Sequence, residues 1–334
     1  MKKFIFLAAA ATMLFAACNK TEVVYSGEPQ EIAFLAVNKV ATKVPVADAT
    51  FLAEDDMAVA AYLVSGDGVT PGDFFTETLF TKNGTTWTGG RYWPISTSTI
   101  SFLAVTEKGG KVDNSETVFE GPMASKAVTN LTNNNVLNQN DLMYAAGQAT
   151  HTQNGEYPKV AMVFKHALSW INFAIKTNLA ATEATVTVNS IALNGACTDG
   201  TLTVNYTNYN AAATPATTAE WAKATKKGTP LYVPNAAGDA AVGAQPATND
   251  HEAYGNGLLV VPGASADSFT INYTLKQKDG TAQTYDYTYT FPTPLDWEMA
   301  KKYTYNVSIN FTEIEIVPTV EAWDPQAATG VGLN

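Results

Sequence analysis

Tyr285-Asp286-Tyr287-Thr288-Tyr289-Thr290-Phe291 carries an aromatic side chain at every second position. In an extended chain of period two, Tyr285, Tyr287, Tyr289 and Phe291 share one face. Upstream, Ile271, Tyr273 and Leu275 alternate in the same way, and Lys278-Asp279-Gly280 between the two runs is a turn signal, so the pair reads as a β-hairpin. Similar alternation of β-branched and aromatic residues, punctuated by Gly, Asn and Asp, recurs at 31–37, 57–64, 99–105, 159–164, 169–176, 184–193, 200–206, 257–261, 268–277, 284–291 and 303–311. The best helical pattern is 218–225, where Trp221 sits in an Ala- and Lys-rich stretch and Thr218 serves as N-cap. Many short strands without alternating helices predict an all-β chain of β-sandwiches, not a βαβ sheet.

Two dense strand groups meet near 165–168, which predicts an N-terminal sandwich domain at 31–166 and a C-terminal one at 167–334. Within the second, 208–256 is rich in Ala, Thr, Asn, Gly and Pro and reads as a long surface excursion. The polar stretch 130–140, with Asn133-Asn134-Asn135, reads as a loop. The length of 334 residues suits two domains, and 46% hydrophobic residues suffice for packed cores. Only 15% of residues are charged, against roughly 25% in an average chain. Acidic residues outnumber basic ones by 31 to 20, giving a net charge of −11, which argues against nucleic acid as a partner. Arg91 is the sole arginine, so the usual bidentate clamp for phosphate or carboxylate ligands is lacking.

The N-terminus reads as an address. Met1-Lys2-Lys3 is followed by an apolar run from Phe4 to Ala17 broken by Thr12, shorter than the about 20 residues a bilayer span needs. It ends in Leu14-Phe15-Ala16-Ala17-Cys18, which resembles the lipobox of bacterial lipoproteins, with Phe15 where Leu or Val is usual. The expectation is a signal peptide at 1–17, acylation at Cys18, a polar tether at 18–30 and anchorage in the outer membrane. Cys197, the other cysteine, then has no disulfide partner and reads as a small core hydrophobe.

Catalytic chemistry is sparse. His151, His166 and His251 are scattered without metal-ligand spacing, and His166 reads as a hydrogen-bonded structural residue. Glu54-Asp55-Asp56 lacks the Gly and the twelfth-position Glu of a calcium loop and reads as a solvated turn. Gly89-Gly90 and Gly109-Gly110 read as hairpin turns, since no helix start or Lys-Ser/Thr pair follows them. There is no Gly-x-Ser-x-Gly elbow. Neither an enzyme, a cofactor nor a metal site is expected. Trp87, Tyr92, Trp93 and Trp221 are candidates for stacking sugars, although tryptophans of β-sandwiches more often lie in the core.

Six motifs in order carry a resemblance. Glu31-Ile32-Ala33-Phe34-Leu35 after the lipobox, Tyr92-Trp93-Pro94 with Ser101-Phe102-Leu103-Ala104, and Asp141-Leu142-Met143-Tyr144-Ala145 are the first three. Val163-Phe164-Lys165-His166-Ala167-Leu168, Leu258-Leu259-Val260-Val261-Pro262-Gly263 and Trp297 with Lys302-Tyr303-Thr304-Tyr305-Asn306-Val307 complete them. Together they resemble the fimbrillin family, the type V pilus subunits of Bacteroidales. The resemblance implies two transthyretin-like β-sandwich domains in tandem. It also implies export as a lipoprotein, removal of the first strand by a trypsin-like protease, and polymerisation by strand addition from a neighbouring subunit. Such head-to-tail contacts do not close and so build a filament.

Carried onto this chain, Ile32, Phe34 and Ala36 form the groove-filling face of the removed strand, and Lys39 and Lys43 are the candidate cleavage sites. Family members often have Arg there, and this chain has none. The candidate donor strand lies in 313–334, with Ile314, Ile316, Val320 and Trp323, where Pro318 needs a non-bonded edge position. The same tail also reads as the last strand of its own sandwich. The expected role is a shaft or accessory subunit supporting adhesion, with other fimbrial subunits, the outer membrane and a host or bacterial surface ligand as partners. An anchor or tip adhesin of the same pilus, or a monomeric glycan-binding lipoprotein, are the alternatives.

Overall fold

The computed structural model describes residues 29–36, 56–66, 68, 70–84, 86–108, 119–132, 141–153, 155, 157–197, 199–213, 216–223, 228–233, 243–263, 266–292, 295 and 297–323. In chain order the strands are β1 (Glu31–Ala36), β2 (Met57–Gly66), β3 (Gly72–Asn83), β4 (Thr86–Tyr92), β5 (Ser98–Lys108), β6 (Phe119–Glu120), β7 (Ser125–Thr132), β8 (Asp141–His151), β9 (Val160–Met162) and β10 (Lys165–His166). They continue as β11 (Ser169–Thr177), β12 (Ala184–Asn194), β13 (Asp199–Thr207), β14 (Ala216–Lys223), β15 (Leu231–Tyr232) and β16 (Gln245–Pro246). The last are β17 (Glu252–Ala253), β18 (Leu258–Val260), β19 (Ser268–Gln277), β20 (Ala282–Thr290), β21 (Lys301–Ile309) and β22 (Ile314–Ala322). Among the described residues no helix forms, and so none is long and apolar enough to cross a membrane. The protein is all-β, as its alternating sequence predicts.

Layering in the first half follows from β3, which serves two sheets. Its early residues pair with β2, from Leu63↔Gly72 to Met57↔Phe80, and its end pairs with β4, from Thr81↔Thr88 to Asn83↔Thr86. The eight-strand path β10-β8-β5-β2-β3-β4-β1-β9 therefore doubles over, and Phe34 of β1 meets Phe102 of β5 across the fold at 5.1 Å. A third layer, β14-β13-β7-β6, packs on the other side of β2, β5 and β8 through Leu202, Val204 and Tyr206. The middle strands are buried on both faces, which is why Met57-Ala58-Val59-Ala60-Ala61 and Ile100-Ser101-Phe102-Leu103-Ala104-Val105 are near-continuous small and apolar runs.

The second half encloses its own core between two sheets. One has the order β17-β11-β21-β22 with β18 also on β11, and the other β15-β12-β19-β20 with β16 also on β12. Phe173, Phe269, Phe291, Trp297 and Tyr305 fill the space between them. The β19–β20 hairpin forms as expected, and its register sets Ile271↔Tyr287 and Tyr273↔Tyr285. At its turn the Thr281 N–H donates to Asp279 Oδ1 (2.8 Å), and Gly280 takes a φ of 90° that a side chain would oppose. Two strands cross between the halves: β13 pairs with β7 over Gly200–Asn205, carrying β14 with it onto the first half.

Several expectations are corrected. Residues 218–225 are not a helix, since β14 pairs along its whole length with β13, including Leu202↔Trp221. Thr217, Ala219 and Trp221 are half-buried while Ala216, Thr218, Glu220 and Ala222 are exposed, so packing on a sheet overrides the helix propensity of Ala and Lys. Gly89-Gly90 lies inside β4, and the turn falls instead at Gly84 between β3 and β4. In 130–140, β7 continues to Thr132 and the rest lies outside the described residues, as does Gly109-Gly110. Within 208–256 the chain forms β14 to β17.

Candidate functional site

The site that the first strand occupies is a trench in the outer layer of the first half. β1 lies between two partners, antiparallel to β4 and parallel to β9, with Phe34↔Trp87 on one side and Phe34↔Val160 on the other. Ile32 and Phe34 are fully buried, and each such side chain contributes roughly 1.5–3 kcal/mol by leaving water. The Phe34 ring sits edge-on to Phe80 at 4.8 Å and to Phe102 at 5.1 Å. Trp93, Val160, Met162 and Phe164 complete the walls. At the strand's start the Trp93 N–H donates to the Gln30 carbonyl (3.0 Å) and the Gly90 N–H to Glu31 Oε1 (2.6 Å). Ala36 pairs with Met162 through the backbone. The structure thus brings Ile32 and Phe34 together on one buried face, while Cys18, Lys39 and Lys43 lie outside the described residues.

The tail strand β22 lies at the edge of its own sheet, paired antiparallel with β21 from Ile309↔Ile314 to Lys301↔Ala322. The Asn310 N–H donates to the Glu313 carbonyl (3.0 Å) and the Trp323 N–H to that of Ala300 (2.9 Å). By the alternation of an antiparallel ladder, odd-numbered residues of β22 bond inward, and Pro318, which has no N–H, falls at a position facing the free edge. Ile314 and Ile316 pack against the second core, whereas Val317 and Val320 are about half exposed, at 49% and 57%.

The strand ends in a socket made by both halves. Trp323 is 3% exposed; its ring stacks on His166 at 4.0 Å and 4° and lies 5.6 Å from Trp170. His166 Nδ1 is hydrogen-bonded to Asp141 Oδ2 at 2.8 Å, with Asp141 fully buried. Trp170 Nε1 donates to the Asn256 carbonyl (2.8 Å), and Lys302, 5.0 Å above the Trp170 ring, reaches Glu321 of β22 at 2.6 Å. Sequence reading singled out Asp141, His166 and Trp323 separately and missed that they meet. Only the apolar character of their flanks, such as Ala167-Leu168, hints at burial.

The other candidates resolve simply. Trp87 and Trp93 are 5% and 2% exposed and belong to the first core, and Trp221 donates its indole N–H to the Ala167 carbonyl at 2.6 Å. Among the four aromatic residues considered for sugar stacking, Tyr92 alone is broadly exposed, at 51%. Cys197 is buried between the halves. Of Glu54-Asp55-Asp56 the structure describes Asp56, whose carbonyl accepts the Thr106 hydroxyl at 2.8 Å. Among the described residues no group of three or more His, Cys, Asp or Glu is placed to hold a metal.

The sequence profile of a family described as fimbrillin-like matches residues 42–323. A fimbrial protein from Bacteroides vulgatus of known structure is 18% identical over 80% of this chain and 92% of its own, with a TM-score of 0.50. A Bacteroides uniformis protein assigned to cell adhesion is 20% identical over 88% of this chain and 99% of its own, with a TM-score of 0.46. A fimbrial assembly protein from Parabacteroides distasonis is 14% identical over 88% and 99%, with a TM-score of 0.39. No curated protein matches the chain.

Proposed function

The chain belongs to the fimbrillin-like family, and from that membership we propose that it is a structural subunit of a type V-like fimbria that polymerises by β-strand addition. In this reading the chain consists of two transthyretin-like sandwich domains, 31–166 and 167–334, the second lending β13 and β14 to the first. It is exported as a lipoprotein on Cys18, trimmed at Lys39 or Lys43, and joined head to tail through a tail strand within 313–334. It carries no catalytic role.

One observation supports the reading above the others. β1 is a six-residue strand held between two others, with Ile32 and Phe34 buried completely. Its removal would leave β4 and β9 with unpaired backbone groups on facing edges and an apolar trench between them, which is the template that a donated strand fills. Ile314 and Ile316 alternate along β22 with the same spacing as Ile32 and Phe34. N-terminal sequencing and mass spectrometry of subunits from cell-surface polymers test this. Subunits beginning after Lys39 or Lys43 are expected, and polymers in which every subunit keeps acylated Cys18 and β1 would sink the proposal.

A second reading, an anchor subunit that keeps its lipid and its first strand, is favoured by the lack of any arginine before Arg91. An arginine-specific protease would leave such a chain intact. A tip adhesin is separable by deleting 313–334, which a shaft subunit should not survive as a polymer-former and a tip should.

A further inference from the structure

Among the described residues, long sheet edges are guarded, with one exception. The eight-strand path ends in β10 and β9, of two and three residues, and β6, β15, β16 and β17 have two each. The edge strand β22 carries Pro318, Glu315 and Glu321, and the edge strand β14 has its Thr217 carbonyl capped by Lys165 Nζ at 3.4 Å. Short strands, prolines and charges are the usual means of blocking edge-to-edge pairing. β20 is neither short nor broken by a proline. It is nine residues long, pairs with β19 without a bulge, and has Asp286 as its single charge.

The hydrogen-bond parity shows what this edge presents. The Gln277 N–H donates to the Thr281 carbonyl (2.8 Å) and the Phe291 N–H to the Asp267 carbonyl (3.1 Å), so odd-numbered residues of the strand bond inward to β19. Thr284, Asp286, Thr288 and Thr290 therefore turn their backbone N–H and C=O outward. Above the edge stand Tyr285, Tyr287 and Tyr289, the first 39% exposed and the others half-buried, at the rim of the second core.

From Thr284 to Thr290 the strand reads Thr-Tyr-Asp-Tyr-Thr-Tyr-Thr, which is near-palindromic about Tyr287. A two-fold contact requires such self-complementarity. We propose that β20 is the interface with a second copy of this chain, the two strands pairing antiparallel about Tyr287. That register puts Asp286 opposite the second copy's Thr288, Tyr285 opposite its Tyr289 and Thr284 opposite its Thr290. Every outward-facing group then meets an outward-facing group. The alternative centred on Asp286 sets two carboxylates face to face and is disfavoured. The contact closes at two copies, so it is distinct from head-to-tail growth and would join filaments side by side.

The test is sedimentation velocity of the full-length, untrimmed chain in mild detergent, a form in which β1 fills the trench and head-to-tail growth is shut off. A monomer–dimer equilibrium that saturates at two is expected. Thr288→Asp, which sets like charges opposite each other twice per dimer, should weaken it about tenfold, and Thr288→Lys should tighten it. Tyr287→Cys should give a disulfide-linked dimer on oxidation and Asp286→Cys should not, a readout that holds even if the charge variants lose stability. A monomer at concentrations up to about 0.1 mM, or a dimer indifferent to both charge variants, overturns the proposal. Species larger than dimers that ignore β20 substitutions overturn it too, and point instead to strand addition with β1 in place.

Discussion

The indole of Trp323 lies flat on the imidazole of His166, 4.0 Å away and 4° from parallel, while Asp141 Oδ2 holds Nδ1 of that imidazole at 2.8 Å. The end of β22 is thereby fastened to a residue from the other half of the molecule, which gives the strand an anchor besides its ladder with β21.

Trp323→Ala should therefore loosen the tail before it unfolds the protein. Removing a buried Trp typically costs about 3–5 kcal/mol, less where the segment can detach. Hydrogen exchange should show faster exchange at the inward-bonded amides of β22, with β1 unchanged. Trp323→Phe keeps a stacked ring and should lose less.

Phe34→Ala empties the centre of the trench, where the ring meets Phe80 and Phe102. A loss of about 3–5 kcal/mol in urea denaturation is expected. Leu35→Ala, on the half-buried outer face of the same strand, should lose markedly less.

Gly257→Ala tests the close approach of a turn to β11. Gly257 has a φ of 75°, and an added Cβ would meet the Ile171 carbonyl oxygen at 2.5 Å and Trp170 Nε1 at 2.7 Å. Strain and overlap together should destabilise by about 2–4 kcal/mol. Because Trp170 lines the socket of Trp323, a change in tryptophan fluorescence should accompany the loss.

Alkali should unfold the protein from its cores outward. Burial pushes the Tyr254 phenol up to about 12, and raises those of Tyr206 and Tyr305 well above the ordinary value of 10.0. A raised folded-state pKa contributes stability that is complete below the unfolded value and is lost as pH rises through the folded one. Stability should thus hold to about pH 10 and fall between there and pH 12 and beyond. A spectrophotometric titration should show two classes of tyrosine, the second ionising together with loss of structure. Tyr305→Phe should shift that loss to higher pH.

What could be read from the residues was whatever a single strand declares by itself. The β19–β20 hairpin was legible because one face of it is aromatic and its turn needs Gly280. β8 was missed as a strand, although Asp141 to Ala145 was noted as a motif, because a strand buried on both faces in a middle layer loses its alternation. β14 was mistaken for helix because Ala, Lys and Glu favour one, and its period of two reports a partner, β13, that the local sequence does not name. Ile32 and Phe34 were named together only through the resemblance. That Phe80, Phe102 and Met162 receive them was not legible, because strand pairing between segments far apart leaves no local mark.

The crossing of β13 and β14 onto the first half sets an order of events for the making of the protein. β7 ends at Thr132 and its partner β13 begins at Asp199, so the outer layer over β2, β5 and β8 waits for the chain to be delivered through Lys223. A chain emerging from N- to C-terminus carries the bare apolar backs of Leu103, Val105 and Leu142 until then. Such long-range pairing slows folding and leaves partly made chains prone to associate. Until the second half has arrived, the first half of a growing chain has to be kept from associating with its neighbours.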